Sequence, residues 1–406
     1  MRDITIIQWA LAIMIVLNVL MVALTLGTKA LRSFRKRRIE SRSRRLETLL
    51  DDSLAKMEVH PDLRRLGGRD LDLLAPLMIE YLSVLSGAQR AWLAQLAEEA
   101  GLVRRYSVRL RSRSWWRKAR AAQNLGHLGG PETVPMLAEL LTHPQETLRA
   151  VIARALARLG TPEAAAALAE TLNDPSELTR LRMAENLERI GTLAVEPLVE
   201  TLKSGNPQAQ VLAARVLGNL RAAEASPNLC EAMLEGSTAD LRAQATLALG
   251  KTGNPENVPA FLKASEDEVW PVRAQVANAL EMIGEVSTIP ALQKLTIDRE
   301  WWVRLNASRA LANMGPAGER ALARVLEGED RFARDRAAAT LEERGITRRA
   351  VGELSISGEK GESARAMIRA MVRAGAVRYL NRLARTLPDE DERGALRQLL
   401  AEAHES

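Results

Sequence analysis

The 406-residue chain holds one cysteine, Cys230, and four histidines, His60, His127, His143 and His404. A lone thiol cannot close an intrachain disulfide, form a CxxC redox pair or build a thiolate metal site, and the histidines stand at no ligand spacing. No glycine-rich phosphate loop, nucleophile elbow or paired-carboxylate motif accompanies them. The expectation is a protein without metal, cofactor or catalytic constellation. The chemistry that remains is cationic. Arg104 to Arg120, "RRYSVRLRSRSWWRKAR", carries eight basic residues and no acid. Beside Trp115 and Trp116 such a run could contact phosphates and stack bases, or it could be a solvated helix face lying against an anionic membrane surface. The second reading is adopted, and nucleic acid is not the expected partner. A further island, Thr28 to Arg45, holds nine basic residues against Glu40 alone. The two islands account for +16, so a total of +6 leaves the rest of the chain at −10, mildly acidic.

Immediately before the first island, Ile4 to Gly27 runs for 24 residues without a charge. As a helix it is long enough to cross a hydrocarbon layer of about 30 Å. The basic residues follow the apolar run, the reverse of a cleaved signal peptide. By the positive-inside rule that flank stays in the cytoplasm. The expected placement is single-pass in an inner (cytoplasmic) membrane, with the N-terminus outside and the remaining chain in the cytoplasm. Lys29, Arg32, Arg35, Lys36, Arg37 and Arg38 are the candidate contacts with anionic lipid head groups, at about 1 kcal/mol each near the surface.

The elements that must position everything else repeat. Gly129, Gly160, Gly191, Gly253, Gly284 and Gly315 recur every 31 residues, with one double step in which Ala222 holds the place. Leu125, Leu156, Leu187, Leu249, Leu280 and Leu311 keep the same grid, as do Arg149, Arg180, Arg242, Arg273 and Arg304. Gln210 and Leu217 stand one place early, which reads as a one-residue deletion, and Arg334 to Gly345 closes the series. A fixed period of this size marks stacked supersecondary units. Each unit predicts two helices. The first starts at N-caps such as Thr161 and Asn254, with Pro162 and Pro255 at the first helical position. Pro135, Pro197, Pro227, Pro259 and Pro290 recur near one point of it, where a missing N–H costs least or bends the helix slightly. The second helix, as in "RAVIARALARLG" and "RAQVANALEMIG", sets Ala and Leu at helical spacing for burial against its neighbours. A chain 47% hydrophobic but only 3% aromatic suits such a core.

The segments "DPSELTRLRMAENLERIG", "DEVWPVRAQVANALEMIG" and "DREWWVRLNASRALANMG" resemble the HEAT repeat, in the short bacterial form also found in relatives of phycobilisome lyases. The resemblance covers roughly Ser114 to Gly345. It implies an all-α fold, a HEAT-like α-solenoid of about seven to eight two-helix repeats. It also implies a ladder between consecutive repeats built from Asp174, Asp267 and Asp298, which precede Arg180, Arg273 and Arg304 by six. Similarity to the lyases implies chromophore chemistry, for which only Cys230 is available; similarity to deoxyhypusine hydroxylase implies His-Glu iron ligands, and the sole such pair is His404 with Glu405. A lyase-type enzyme therefore stands as the alternative reading and a nucleic-acid tether as the second alternative.

The expected organisation is a transmembrane helix (1–27), a basic juxtamembrane segment (28–45), a helical N-terminal cap (46–113), the repeat solenoid (114–345) and a helical C-terminal cap (346–406). In the last, Arg365, Arg369 and Arg373 read as a solvated stripe. The fifth and ninth positions after each repeat arginine lie one turn apart on the second helix. They nominate a protein-binding groove of Gln123, His127, Arg154, Arg158, Glu185, Arg189, Arg215, Asn219, Lys251, Asn278, Arg309 and Asn313, polar and leaning basic, suited to an acidic segment of a protein partner. Trp115, Trp270 and Trp301 share one repeat position, which favours packing between repeats over a binding ridge. The functional expectation is a membrane-anchored cytoplasmic scaffold or adaptor for membrane-associated proteins, such as a membrane glycosyltransferase or secretion assembly.

Overall fold

The computed structural model describes residues 2–405; the side chains of residues 2–13, 15–19, 22, 23, 30, 35 and 403–405 lie outside that description. It is all-helical, with no strand among the described residues. The chain divides into two compact units, residues 1–159 and 160–406, a boundary that falls inside the expected repeat series.

The first unit opens with one continuous helix, Arg2–Lys56. At 1.5 Å per residue it is about 80 Å long. It passes without a break through both expected boundaries, after residue 27 and after residue 45. The expected membrane span falls for the most part on residues whose side chains are outside the description, and among the described residues no helix is long and apolar enough to cross a membrane. The described apolar side chains here, Leu20, Met21, Leu24, Leu26, Leu31 and Phe34, are all exposed. Among the described residues, the far end of the helix is what joins a core: Leu46 and Leu50 are buried, and the Tyr81 hydroxyl donates to the Asp51 carboxylate. That bond, with burial, pushes the phenol up to about 12. Helices Gly68–Val84, Gly87–Glu99 and Leu102–Leu110 follow, with Leu63, Leu74, Met78, Leu93 and Leu96 buried. Helices Trp115–Leu128 and Glu146–Leu159 then pack directly on each other.

In the second unit the second helices of the repeats are Glu177–Ile190, Pro207–Asn219, Ala239–Thr252, Trp270–Ile283, Trp301–Asn313 and Arg331–Glu343. Helix Pro162–Glu170 begins as its caps require, with Thr161 Oγ1 accepting the Ala164 N–H at 3.2 Å. The next four first helices, unlike the unbroken Gly315–Leu326 that comes after them, differ from the expected single helix. Each is a 3₁₀ turn followed by a short α-helix: Gly191–Ala194 then Val195–Ser204, Ala223–Ala225 then Ser226–Glu235, Pro255–Asn257 then Val258–Ala264, and Val286–Thr288 then Ile289–Leu295. Pro197, Pro227, Pro259 and Pro290 thus stand in the first turn of an α-segment. There no N–H is missed and no bend is required. Asn254 caps the 3₁₀ turn, its Oδ1 accepting from the Glu256 N–H at 3.0 Å.

The glycine grid ends helices in left-handed conformations that a side chain would strain, with φ between 60° and 79° at Gly160, Gly191, Gly253, Gly284 and Gly315. Gly129 is an exception at φ −83°. In the shortened repeat the left-handed residue is Arg221, at φ 52°, and not Ala222, so the deletion moves the turn forward by one place.

The ladder also differs in its partners. Arg273 Nη1 donates to the main-chain carbonyl of Asp267, six residues back, at 2.8 Å, while its Nε and Nη2 grip the carboxylate of Asp298 in the next repeat at 2.7 and 2.9 Å. Arg242 grips Asp267 in the same way, at 2.7 and 3.1 Å. Asp267 and Asp298 therefore each serve two repeats, the carbonyl holding one arginine and the carboxylate the preceding one. In the C-terminal helices the arginine stripe is partnered: Arg365 donates to the Leu354 carbonyl, and Arg369 and Arg373 pair with Glu402 and Glu327.

Candidate functional site

In the first unit, Gln123 and His127 lie on helix Trp115–Leu128, and Arg154 and Arg158 on helix Glu146–Leu159. Gln123, Arg154 and Arg158 are exposed and His127 is half-buried. Desolvation, helped by repulsion from Arg158 and Arg90, holds the His127 imidazole below its usual range, so it is neutral at pH 7.

In the second unit, Glu185, Arg189, Asn219, Arg309 and Asn313 are exposed, and Arg215, Lys251 and Asn278 are half-buried. Several are tied across repeats. Asn219 donates to Glu188 at 2.6 Å and accepts from Lys251 Nζ at 2.7 Å, and Asn313 donates to Glu281. Asn278 instead bonds Gln275 on its own helix. Beside the first chain of bonds, Asn219 and Lys251 line a cavity of about 650 Å³ with Glu188, Arg221 and Met282.

A second cavity, of about 520 Å³, runs across four successive second helices. Of the nominated residues it takes in Arg215 alone. The others, Glu177, Arg180, Leu181, Gln208, Val211, Asp240, Gln244 and Gln275, were not nominated. Apart from Arg180, the repeat arginine itself, they stand three, four, seven or eight residues before the fifth repeat position and so share its helical face. Continuing the same stripe two turns further upstream would have found all of these but Arg180. Three amides dominate its polar edge, and each can donate and accept at once.

The recurring tryptophans are not buried between repeats, contrary to expectation. Trp270 is 39% exposed, Trp301 47% and Trp302 53%, and Phe332 on the next second helix 65%. Trp301 and Trp302 meet edge to face at 4.7 Å, and the Arg304 guanidinium lies 5.4 Å from the Phe332 ring centre. These rings open successive second helices at the positions that in neighbouring repeats line the groove.

The basic island of the first unit is only partly a solvated face. Arg105 and Arg109 both grip Asp72, through four hydrogen bonds of 2.8 to 3.2 Å. Partial burial pushes the Asp72 carboxyl up, but the two guanidinium partners outweigh it and hold it down at about 2. A carboxyl lowered on folding contributes stability above its unfolded value, near 4, and loses it as the pH falls towards 2. Asp72→Asn is therefore expected to melt below the wild type at pH 7, with the gap narrowing as thermal melts are repeated from pH 4 downwards. A gap that stays constant across that window would refute the pairing.

Cys230 is half-buried, and burial pushes its thiol up, away from the reactive thiolate. Among the described residues no group of His, Cys, Asp and Glu could hold a metal ion.

The sequence profile of HEAT repeats matches residues 106–188, 167–249, 195–280 and 226–312, together just over half of the chain. The chain belongs to the HEAT-repeat family. The HEAT match starts eight residues before the expected first repeat and ends before the unit at Arg334 to Gly345. Solved structures similar to this HEAT protein include Escherichia coli YibA, at 20% identity over 58% of this chain and 91% of that one, with a TM-score of 0.38. The complex of CpcE and CpcF of phycocyanin lyase from Nostoc sp. PCC7120 is 22% identical over 60% of this chain and 94% of that one, with a TM-score of 0.34. Kap121p is 14% identical over 83% of this chain and 46% of that one, with a TM-score of 0.44. No curated protein sequence matches the chain.

Proposed function

We propose that this HEAT-repeat protein is a membrane-anchored scaffold whose second unit holds an extended segment of a partner protein. The observation that carries the reading is the groove across four second helices, edged by Gln208, Gln244 and Gln275 and continued by the exposed rings of Trp270, Trp301, Trp302 and Phe332. Amides that both donate and accept suit the main chain of an extended segment, and Arg180 and Arg215 suit acidic side chains upon it. Exposed tryptophans are the side chains most often found as anchors in protein interfaces.

The membrane part rests on the uncharged run from Ile4 to Gly27 and on the exposed Leu20, Met21, Leu24 and Leu26 along the same helix. The basic flank after it favours a cytoplasmic location for both units and would set Lys29, Arg32, Lys36, Arg37 and Arg38 at the lipid surface. Confinement to the membrane raises the effective concentration towards membrane-bound partners, of which a glycosyltransferase or a secretion assembly is the class proposed. No reaction is assigned to the chain, and its role in this reading is binding alone.

A photo-crosslinking residue in place of Gln244, introduced into the full chain in intact membranes, is expected to give discrete protein adducts. The same residue in place of Glu196, exposed on a first helix, is expected to give none. Arg215→Glu should remove the Gln244 adducts. Equal adducts from both positions, or adducts indifferent to Arg215→Glu, would overturn the groove as the binding face.

A further inference from the structure

A cavity of about 540 Å³ lies wholly within the first unit, lined by Asp72, Tyr106, Arg109, Trp116, Arg117 and Arg120 among others. It is within the size range of small-molecule sites. Asp72 does not neutralise it. Its one negative charge is shared between Arg105 and Arg109, which it fixes in place through bidentate bonds, while Arg117 and Arg120 have no carboxylate partner among the described residues. The lining therefore carries an excess of two positive charges. Its walls are aromatic and apolar: Tyr106 is buried, and Trp116, half exposed at 52%, has the Arg117 guanidinium 5.2 Å from its ring centre. Ser112 and Asn124 add neutral hydrogen-bonding groups.

Planar guanidiniums in this number match the oxygens of a phosphate better than a single carboxylate, because each can bond two oxygens at once and the excess charge suits a dianion. The cavity is a pocket and not a track, and Arg111 and Arg113, exposed on the same island, do not line it. We propose that this pocket binds one phosphate group, carried either by a phospholipid head group or by a small soluble phosphate ester. The site is independent of the groove in the second unit, so the failure of either reading leaves the other standing.

The test uses the full chain in uncharged detergent, titrated calorimetrically with inorganic phosphate and glycerol 3-phosphate in one arm. In the other arm phosphatidylglycerol is added to the micelles and retained lipid is read by native mass spectrometry. One-to-one binding is expected in at least one arm, weakened at least about tenfold by Arg117→Gln/Arg120→Gln, as loss of two charge-assisted contacts requires. Arg111→Gln/Arg113→Gln should leave it unchanged. All four arginines are exposed, so the variants are expected to fold. Binding in the soluble arm identifies a phosphate ester, and binding confined to the lipid arm identifies a head group. Absence of binding in both arms, or equal weakening by the two double variants, overturns the pocket.

Discussion

Asp298→Ala is expected to destabilise the second unit by about 3–5 kcal/mol, the cost of stranding a buried charge whose partner has been removed. Arg273 is 6% exposed, and Asp298 supplies both of its Nε and Nη2 contacts. The carbonyls of Asp267 and Glu268 would still accept from Nη1, but they carry no net charge with which to replace the carboxylate. Burial pushes the Asp298 carboxyl up, yet the Arg273 bonds and the Glu300 N–H hold it below the usual range, so the pair is ionised at neutral pH. The double variant Arg273→Met/Asp298→Leu removes both charges and is expected to recover most of the loss, since apolar replacement of a buried pair is often neutral. Denaturant unfolding of the full chain, followed by far-UV circular dichroism, gives both numbers. A loss below about 1 kcal/mol for the single variant, the range of exposed pairs, would show that water replaces the carboxylate.

The ladder shows how far the sequence can be read and where it stops. Aspartate and arginine at constant spacing mark an inter-repeat contact, and period alone yields the two-helix unit. Which aspartate meets which arginine is not a matter of spacing. A separation of six brings Arg273 to the Asp267 carbonyl, whereas the ionic partner lies 25 residues ahead, because the turn before each second helix is set beside the arginine of the preceding one. The split first helices were hidden for a similar reason. A proline in a helical pattern reads equally as an early position or as a bend, and only the 3₁₀ turn before it decides.

The groove was legible in part. Counting from the repeat arginine found its face, through Arg215, but took in only the later turns of each helix, whereas the cavity lies over the earlier ones. The tryptophans were misjudged because a recurring large apolar residue is normally core. Here Ala and Leu already fill the space between helices, leaving no room for an indole. Asp72, the residue that organises the basic pocket, lies outside the repeats, 33 and 37 residues from its two partners, with no periodic signal to betray it.

The closeness of the second helices leads to the other large effect. Gly218, Gly250 and, in the first unit, Gly126 occupy one repeat position, eight after the repeat arginine. A Cβ built on Gly218 would stand 2.6 Å from the Ala248 Cα and 2.8 Å from its Cβ. The obstacle is backbone, which cannot turn aside as a side chain can. Gly218→Ala would gain up to about 1 kcal/mol of helix propensity. Overpacking against a helix axis is expected to outweigh that, giving a net loss of roughly 1–2 kcal/mol, and Gly218→Val a loss of about 3. Gly394, inside helix Glu390–Glu405, has nothing within 4 Å of its would-be Cβ. There the same glycine-to-alanine change is expected to stabilise by about 0.5–1 kcal/mol, the opposite sign. Ala248→Gly added to Gly218→Ala should recover part of the loss but not all, since the new methyl would still press on the main chain at residue 248. Thermal melts of the four variants beside the wild type test this. If Gly218→Ala proved as stabilising as Gly394→Ala, the second helices would not be held together at glycine.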